Sequence, residues 1–260
     1  CGVFISACGD DSDGGGGGRG GGAEETGATE GAKVIDPKLM DNATGTVKYC
    51  QGKDTTGAAA RWAKAFNSKY APQNLKVGIA EFPAPADEQR NQFIQRQQAK
   101  SGDCDVFSAD VIWTAEFASQ KWLYDMTPYM EDKKDEYIEA PVETVTYDGK
   151  IWGVPETSDA GLLYYNTDKV DEIPATWQEV YQQAQKEGGI VYQGAAYEGL
   201  TCDFLEIAFG AGGEVLNEDG TEVHINSPEN LAALEFMVEG VGTAAPDAVV
   251  TYMEEQARRA

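Results

Sequence analysis

Hydrophobic positions recur with two different periods in the first half of the chain, and each change of period marks a change from strand to helix. Three runs have the length and residue types of buried strands: 46–49, 75–82 and 105–112. After the first run, apolar residues recur at the spacing of one helix face: Ala59, Trp62, Ala63 and Phe66. Asp87 and Glu88 begin a second helix by complementing its N-terminal dipole, and a third is predicted at 113–123. This β-α-β-α-β-α order predicts an α/β fold with a mostly parallel sheet covered by helices.

A second series of elements follows residue 168, and capping residues mark its helices. Thr176 and Glu179 have the spacing of a capping box. Ser227 precedes a proline at the first position of another predicted helix. The remaining predictions are helices from Thr201 and from near Thr251, and short strands at 190–193 and around His224. A further short strand, 162–165, is predicted just before this series.

The stretch 147–168 separates the two series of elements. It contains a hairpin turn at Asp148-Gly149 and a proline, Pro155, at the end of a short strand. A stretch that ends one layered unit and begins the next is a crossing between domains, and ligands favour the crevice there. We therefore predict a first lobe over 46–154, a hinge crossing over 155–168 and a second lobe over 169–260. The alternative is an ordinary connector inside one large domain.

The charge of the chain limits the classes of partner. The 260 residues carry a formal net charge of −24. A charge this far from zero mainly promotes solubility. It argues against a nucleic-acid partner, because nucleic-acid binding requires a basic surface. It also favours a neutral or cationic ligand over an anionic one.

The N-terminus has the pattern of a processed secretory leader. We predict a signal-peptide remnant with a lipobox over 1–8. An apolar run over 2–7 ends in small residues before Cys8, and Ile5-Ser6-Ala7-Cys8 resembles a bacterial lipobox, in which the cysteine is lipidated. The Gly-rich and acidic stretch 9–45 is typical of a flexible tether. The alternative is a fortuitous cysteine in a disordered tail. No later segment has the run of about 18 apolar residues that a membrane span requires, so we expect attachment to a membrane through the lipid alone.

An extracytoplasmic location would allow disulfides. Three cysteines follow Cys8: Cys50, Cys104 and Cys202. An odd number permits at most one intramolecular bridge. Cys50 and Cys104 both fall in the first lobe and are the better pair, although their places at opposite ends of predicted strands leave the geometry open.

Residue types that would indicate catalysis are sparse. The single histidine, His224, falls in a predicted strand, where a surface or packing role is the usual one. No Cys/His set has zinc-ligand spacing, and neither a nucleophile elbow nor a phosphate-binding loop is present. We therefore predict no metal, no cofactor and no enzymatic activity. A two-carboxylate glycosidase remains the enzymatic alternative, because acidic residues are abundant.

Carboxylates and aromatic residues meet where predicted strands end. In an open α/β sheet the binding crevice lies at the carboxyl ends of the strands. Carboxylates accept strong hydrogen bonds from sugar hydroxyls, and aromatic faces cover the apolar side of a sugar ring. Each residue also fits an ordinary role, with Trp113 in the core and Asp54 or Glu81 as a helix cap or a solvated charge. The candidates are Asp54, Glu81, Asp110 and Trp113 in the first lobe, and Asp159, Tyr197 and Glu198 beyond it.

Four stretches occur in an order that resembles the extracellular solute-binding proteins of carbohydrate ABC importers. They are ADVIWTAEFA at 109–118 with WLYDM at 122–126, DGKIWGVP at 148–155, DAGLLYY at 159–165 and YQGAAYEGLTC at 192–202. The nearest likeness is to the maltose- and trehalose-binding branch, as found in actinobacterial lipoproteins. The resemblance extends over about 46–260.

The resemblance implies a two-lobed periplasmic-binding-protein fold of type II, in which each lobe has a mostly parallel sheet with flanking helices. It implies a monomeric, lipid-anchored, extracytoplasmic receptor that closes about a hinge on a mono- or oligosaccharide and delivers it to a membrane permease. The seven candidates above become sugar contacts. The chain stops inside its last predicted helix, so we expect an incomplete second lobe. The alternative within the same fold is a receptor for another solute, such as a polyamine or a peptide.

Overall fold

A computed structural model describes residues 2–5, 31–33, 42–217 and 220–260, with only the backbone of 2–5. Cys8 and most of the predicted tether lie outside the described residues, so lipidation stays a prediction. The chain divides into two compact units, unit 1 at Cys1–Asp159 and unit 2 at Ala160–Ala260. The division falls within 155–168, and the hinge role of that segment also stays a prediction.

Unit 1 is built on a five-stranded sheet in the order β3-β2-β4-β1-β7. The neighbouring strands β3, β2 and β4 are parallel, as predicted, and β1 runs antiparallel to both of its neighbours. The strand β1 was not predicted from the sequence, which reads there as a leader. A separate hairpin consists of β5 and β6. The strands are β1 (Gly2–Ile5), β2 (Gly45–Gly52), β3 (Leu75–Phe82), β4 (Val106–Ala109), β5 (Thr146–Tyr147), β6 (Lys150–Ile151) and β7 (Val154–Pro155).

Left-handed backbone positions set several of the element boundaries in unit 1. Gly57 precedes the first helix with φ 72°, and Lys121, with φ 61°, follows the third. The third helix is therefore shorter than the span 113–123 predicted from the sequence. The helices of unit 1 are α1 (Ala58–Tyr70), α2 (Ala86–Gln98), α3 (Thr114–Ser119), α4 (Thr127–Met130) and α5 (Glu139–Thr144), with short 3-10 turns at Ala71–Gln73, Val111–Trp113 and Lys134–Glu136.

The core of unit 1 is one continuous aromatic cluster under the sheet. The rings of Phe93 and Phe107 lie 4.5 Å apart, and those of Phe107 and Phe117 lie 5.9 Å apart. A disulfide joins Cys50 in β2 to Cys104 before β4, with 5.8 Å between the Cα atoms. The pairing predicted from the sequence is confirmed, since parallel neighbouring strands bring the two cysteines side by side.

Unit 2 is helical in its described residues. The helices are α6 (Trp177–Glu187), α7 (Glu198–Gly210), α8 (Pro228–Gly240) and α9 (Glu254–Arg259), with a 3-10 turn at Asp247–Thr251. The capping box of Thr176 and Glu179 is confirmed, and so is the Ser227 cap, whose Oγ accepts from the Asn230 amide at 3.1 Å. The predicted start at Thr201 is wrong, because α7 begins one turn earlier at Glu198.

The strands predicted at 162–165 and 190–193 are also wrong. Residues 162–165 and 190–193 form no ladder in the described part of the unit, although their apolar composition suits a strand. A strand requires a hydrogen-bonded neighbour, and propensity cannot provide one. Tyr164 is 86% exposed in this arrangement.

The apolar residues of unit 2 form two small clusters rather than one core. Ile207 and Ala208 of α7 pack on Ala233 and Met237 of α8, while Tyr181 and Ala184 of α6 pack near Ala244. A groove of about 490 Å³ is lined mainly by apolar residues of α7 and α8. None of the helices in the described part of the chain is long and apolar enough to cross a membrane.

Candidate functional site

The carboxyl ends of the parallel strands of unit 1 meet at one edge of its sheet. Gly52 at the end of β2 pairs with Phe82 at the end of β3, and the register of Cys50 with Phe107 places the end of β4 beside them. Asp110 directly follows β4, and Asp54 lies two residues after the end of β2. The structure therefore places these two predicted site residues at the same edge, where ligands bind in open α/β sheets.

Both carboxylate oxygens of Asp54 accept hydrogen bonds from nearby residues of the chain. Its Oδ1 accepts from Thr56 N at 2.8 Å, Thr56 Oγ1 at 2.7 Å and Gly57 N at 3.0 Å, and its Oδ2 accepts from Ala59 N at 2.9 Å. The Thr56 hydroxyl, followed by these backbone donors, lowers the pKa of the Asp54 carboxyl. This geometry supports the capping interpretation for Asp54, which holds the start of α1.

Asp110 and Trp113 lie on one turn but in different surroundings. Asp110 caps the 3-10 turn through a 3.4 Å hydrogen bond from Ile112 N and remains partly exposed. Trp113 is 3% exposed and packs against Phe93 and Phe117, with ring centres 6.1 and 5.9 Å away. Of the two roles considered for Trp113, its burial supports the core.

Two further candidates are solvent-exposed carboxylates of unit 1. Glu81 lies in β3, one residue before its end, and Asp159 is the last residue of the unit. Their exposure leaves the oxygens accessible to a ligand. Neither carboxylate takes part in the hydrogen bonds of Asp54, Asp110 or Glu156.

A polar cluster that the sequence did not indicate joins β2, β4 and the residue after β7. The Tyr49 hydroxyl donates to both oxygens of Glu156 at 2.9 Å, and the Ser108 hydroxyl donates to Glu156 Oε2 at 3.1 Å. Burial, followed by the charge of Glu156, raises the pKa of Tyr49. The contact joins residues 107 apart, so no local spacing could reveal it.

In unit 2 the candidates Tyr197 and Glu198 lie where the 192–199 loop enters α7. The Tyr197 hydroxyl donates to Gln193 Oε1 and accepts from Glu254 N at 2.9 Å. Glu198 is the first residue of the helix, and its Oε1 accepts from the Cys202 thiol at 3.1 Å. Both side chains are partly exposed.

Asp203 anchors the other end of this loop. Its Oδ2 accepts from the backbone amide of Gln193 at 2.7 Å. Burial is the main cause that raises the pKa of Asp203 to about 6, and the charges of Glu206 and Glu198 add to it. Asp203 was not predicted, and its only local signal is that it directly follows the 192–202 stretch.

Two features of the described residues bear on the chemistry considered from the sequence. No group of three His, Cys, Asp or Glu side chains among them is arranged to hold a metal ion. His224 is not in a strand, and its Nδ1 lies 3.0 Å from Glu214 Oε2. That hydrogen bond is the main cause that raises the pKa of His224. Its surroundings are those of a surface ion pair.

Comparison with known proteins gives one consistent family. The family model described as bacterial extracellular solute-binding protein matches residues 52–258. A probable ABC transporter-binding protein of Deinococcus radiodurans is 36% identical over 202 residues, which are 70% of this chain and 47% of that protein. An arabinooligosaccharide-binding protein of Halalkalibacterium halodurans is 24% identical over 67% of this chain and 41% of its own length.

A solved structure shares both fold and sequence with the chain. The maltose-bound MalE3 of T. maritima superposes with a TM-score of 0.76 at 37% identity, covering 82% of this chain and 57% of that one. The fold is that of a type II periplasmic binding protein, as predicted. The chain spans about half the length of the curated relatives it matches.

Proposed function

The chain belongs to the family of bacterial extracellular solute-binding proteins, and from that premise we propose that it is the sugar-binding component of an ABC importer. Its ligand is a neutral mono- or oligosaccharide of the maltose or trehalose kind, which it delivers to membrane permease subunits after closing about a hinge within 155–168. It acts outside the cytoplasm as a monomer, is anchored through a lipid on Cys8, and leaves the sugar chemically unchanged.

The similarity to a maltose-bound protein carries the choice of a sugar, and two further observations support it. The similarity to a maltose-bound binding protein reaches 37% identity over 82% of the chain, and the net charge of −24 disfavours an anionic ligand. The arabinooligosaccharide-binding relative supports the same class of ligand.

The residues proposed to contact the sugar are those with accessible oxygens. Asp110 and Glu81 supply carboxylates in unit 1, and Tyr197 and Glu198 supply an aromatic ring and a carboxylate in unit 2. Carboxylates bind hydroxyl donors strongly, which suits a polyol. Asp159 completes the proposed set. Asp54 supports the edge through its cap, and Trp113 supports it from the core.

Isothermal titration of the protein tests the proposal. We expect heat with maltose or trehalose, no heat with spermidine, and recovery of the intact sugar on chromatography. Glu198→Gln should weaken sugar binding about tenfold, the loss of one charge-assisted hydrogen bond. The exposed Glu235 of α8 provides the matched control, since Glu235→Gln makes the same change of charge away from the loop.

Two outcomes would replace the proposal. Heat with spermidine or a peptide and none with any sugar would make the chain a receptor for another solute. Release of free glucose from maltose would make it a glycosidase, for which the abundance of carboxylates is the only support.

A further inference from the structure

The 192–199 loop is held by a continuous chain of hydrogen bonds. Asp203 Oδ2 accepts from Gln193 N, the Gln193 side chain accepts from the Tyr197 hydroxyl, and that hydroxyl accepts from Glu254 N. Ala195 N adds a 3.0 Å bond to the carbonyl of Tyr252. The loop is therefore fixed to α7 on one side and to the beginning of α9 on the other.

Two glycines show how tightly the loop is packed. A Cβ on Gly194 would lie 2.5 Å from the carbonyl oxygen of Val249, which is backbone and cannot rotate away. A Cβ on Gly199 would clash with Gln193 Oε1 and the Tyr197 hydroxyl. The Gln193 and Tyr197 side chains therefore lie directly against the backbone of Gly199.

Asp203 is the side chain that accepts a hydrogen bond from the Gln193 backbone amide. The two residues are ten apart, so the bond joins the beginning of the loop to the second turn of α7. The partly buried carboxylate faces Tyr192 and Tyr181, with Glu198 and Glu206 on its own helix and Tyr197 nearby. None of these neighbours carries a positive charge, so the Gln193 amide is a principal stabilising partner of the charge.

We propose that Asp203 is a positioning residue for sugar binding, which holds Gln193 and through it orients Tyr197 and Glu198 at the entrance of α7. The inference rests on the proposed function, because the sugar is expected to meet the loop there. Asp203 itself does not contact the sugar. An amide can make the same acceptor bond, so the role requires the oxygen rather than the charge.

Two variants separate this role from a general effect on folding. Asp203→Ala removes the acceptor, and we expect affinity for maltose to fall about tenfold, as for the loss of one hydrogen bond to a charged group. Asp203→Asn keeps an oxygen for Gln193 N and should bind maltose within about twofold of the original protein. Residue-resolved hydrogen exchange, measured without sugar, should show the Gln193 amide protected in the original protein and in Asp203→Asn, and unprotected in Asp203→Ala.

The pH dependence of stability gives a second readout. The raised pKa means that ionised Asp203 is disfavoured in the fold, so its contribution to stability is greatest below the ordinary pKa of an aspartate and is lost as pH rises through about 6. Asp203→Asn should therefore raise the melting temperature at pH 7.5 and leave it nearly unchanged at pH 4.

These measurements distinguish a failure of the proposed function from a failure of the positioning role of Asp203. If the original protein binds no sugar but Gln193 exchanges as expected, the proposed function is wrong and the anchoring of the loop stands. If the original protein binds maltose and Asp203→Ala binds it equally well, or if Gln193 stays protected in Asp203→Ala, the positioning role is overturned.

Discussion

Unit 1 encloses its apolar residues, whereas unit 2 leaves many of its own exposed. Among the described residues, three large hydrophobic side chains of unit 1 are exposed, against fourteen in the smaller unit 2. The difference follows from architecture. Unit 1 has a paired sheet whose strands supply a continuous surface for α2 and α3, and its core is a single cluster.

Helix α8 shows the consequence for unit 2. Its Ala233 and Met237 are buried against α7, while Leu231, Leu234 and Val238 on the other side are about half exposed or more. After its first turn, α8 is apolar apart from the stripe that carries Glu235 and Glu239, and a helix with so wide an apolar surface is normally buried over most of it. The described residues cover one side of α8. The side with Leu231, Leu234 and Val238 stays exposed, although such residues favour burial.

A matched pair of phenylalanine truncations tests this contrast most strongly. Phe107 is 0% exposed in the core of unit 1, and Phe209 is 55% exposed on α7. Phe107→Ala should lower the free energy of unfolding of unit 1 by about 3–5 kcal/mol, because it removes contacts and leaves a cavity. Phe209→Ala should lower that of unit 2 by less than about 1 kcal/mol. Denaturant titration followed by hydrogen exchange of peptides from each unit measures both, and equal costs would contradict the contrast.

Removal of the disulfide should give the next largest difference in lost stability between the units. It closes a loop between residues 54 apart in unit 1. Replacing Cys50 and Cys104 together by alanine should cost unit 1 about 3 kcal/mol, mainly because the unfolded chain gains freedom. Unit 2 should keep its denaturation midpoint. Cys202→Ser, a change at an exposed thiol, is the control, and an equal loss in that variant would remove the disulfide as the cause.

The sequence was most informative where a local signal and a partner element agree. The bounds of β3 follow from an apolar run that ends before Pro83, and the neighbouring parallel strand was itself recognisable. Helix α6 was marked by its capping box. The pairing of Cys50 with Cys104 followed from their shared lobe.

The sequence was least informative where structure depends on distant partners. Residues 162–165 have the composition of a strand, but composition says nothing about the neighbour that a ladder needs. The bonds of Tyr49 to Glu156 and of Gln193 to Asp203 involve common residue types without a diagnostic spacing. Asp54 and Asp110 were placed correctly at the strand ends, but only the structure shows that Asp54 is committed to a cap.

The smallest expected effect on stability comes from the capping box at the start of α6 in unit 2. Thr176 Oγ1 accepts from Glu179 N at 3.2 Å, and Glu179 Oε2 accepts from Thr176 N at 3.2 Å. Thr176→Ala should lower the free energy of unfolding of unit 2 by about 1 kcal/mol, since it leaves a backbone amide of α6 without its side-chain partner. Thr176→Ser keeps the hydroxyl and should restore most of that loss. In hydrogen exchange, faster exchange in 177–187 with unchanged exchange in unit 1 is the expected pattern. An equal change in both units would mean that the two do not unfold separately, and the comparison between them would then fail.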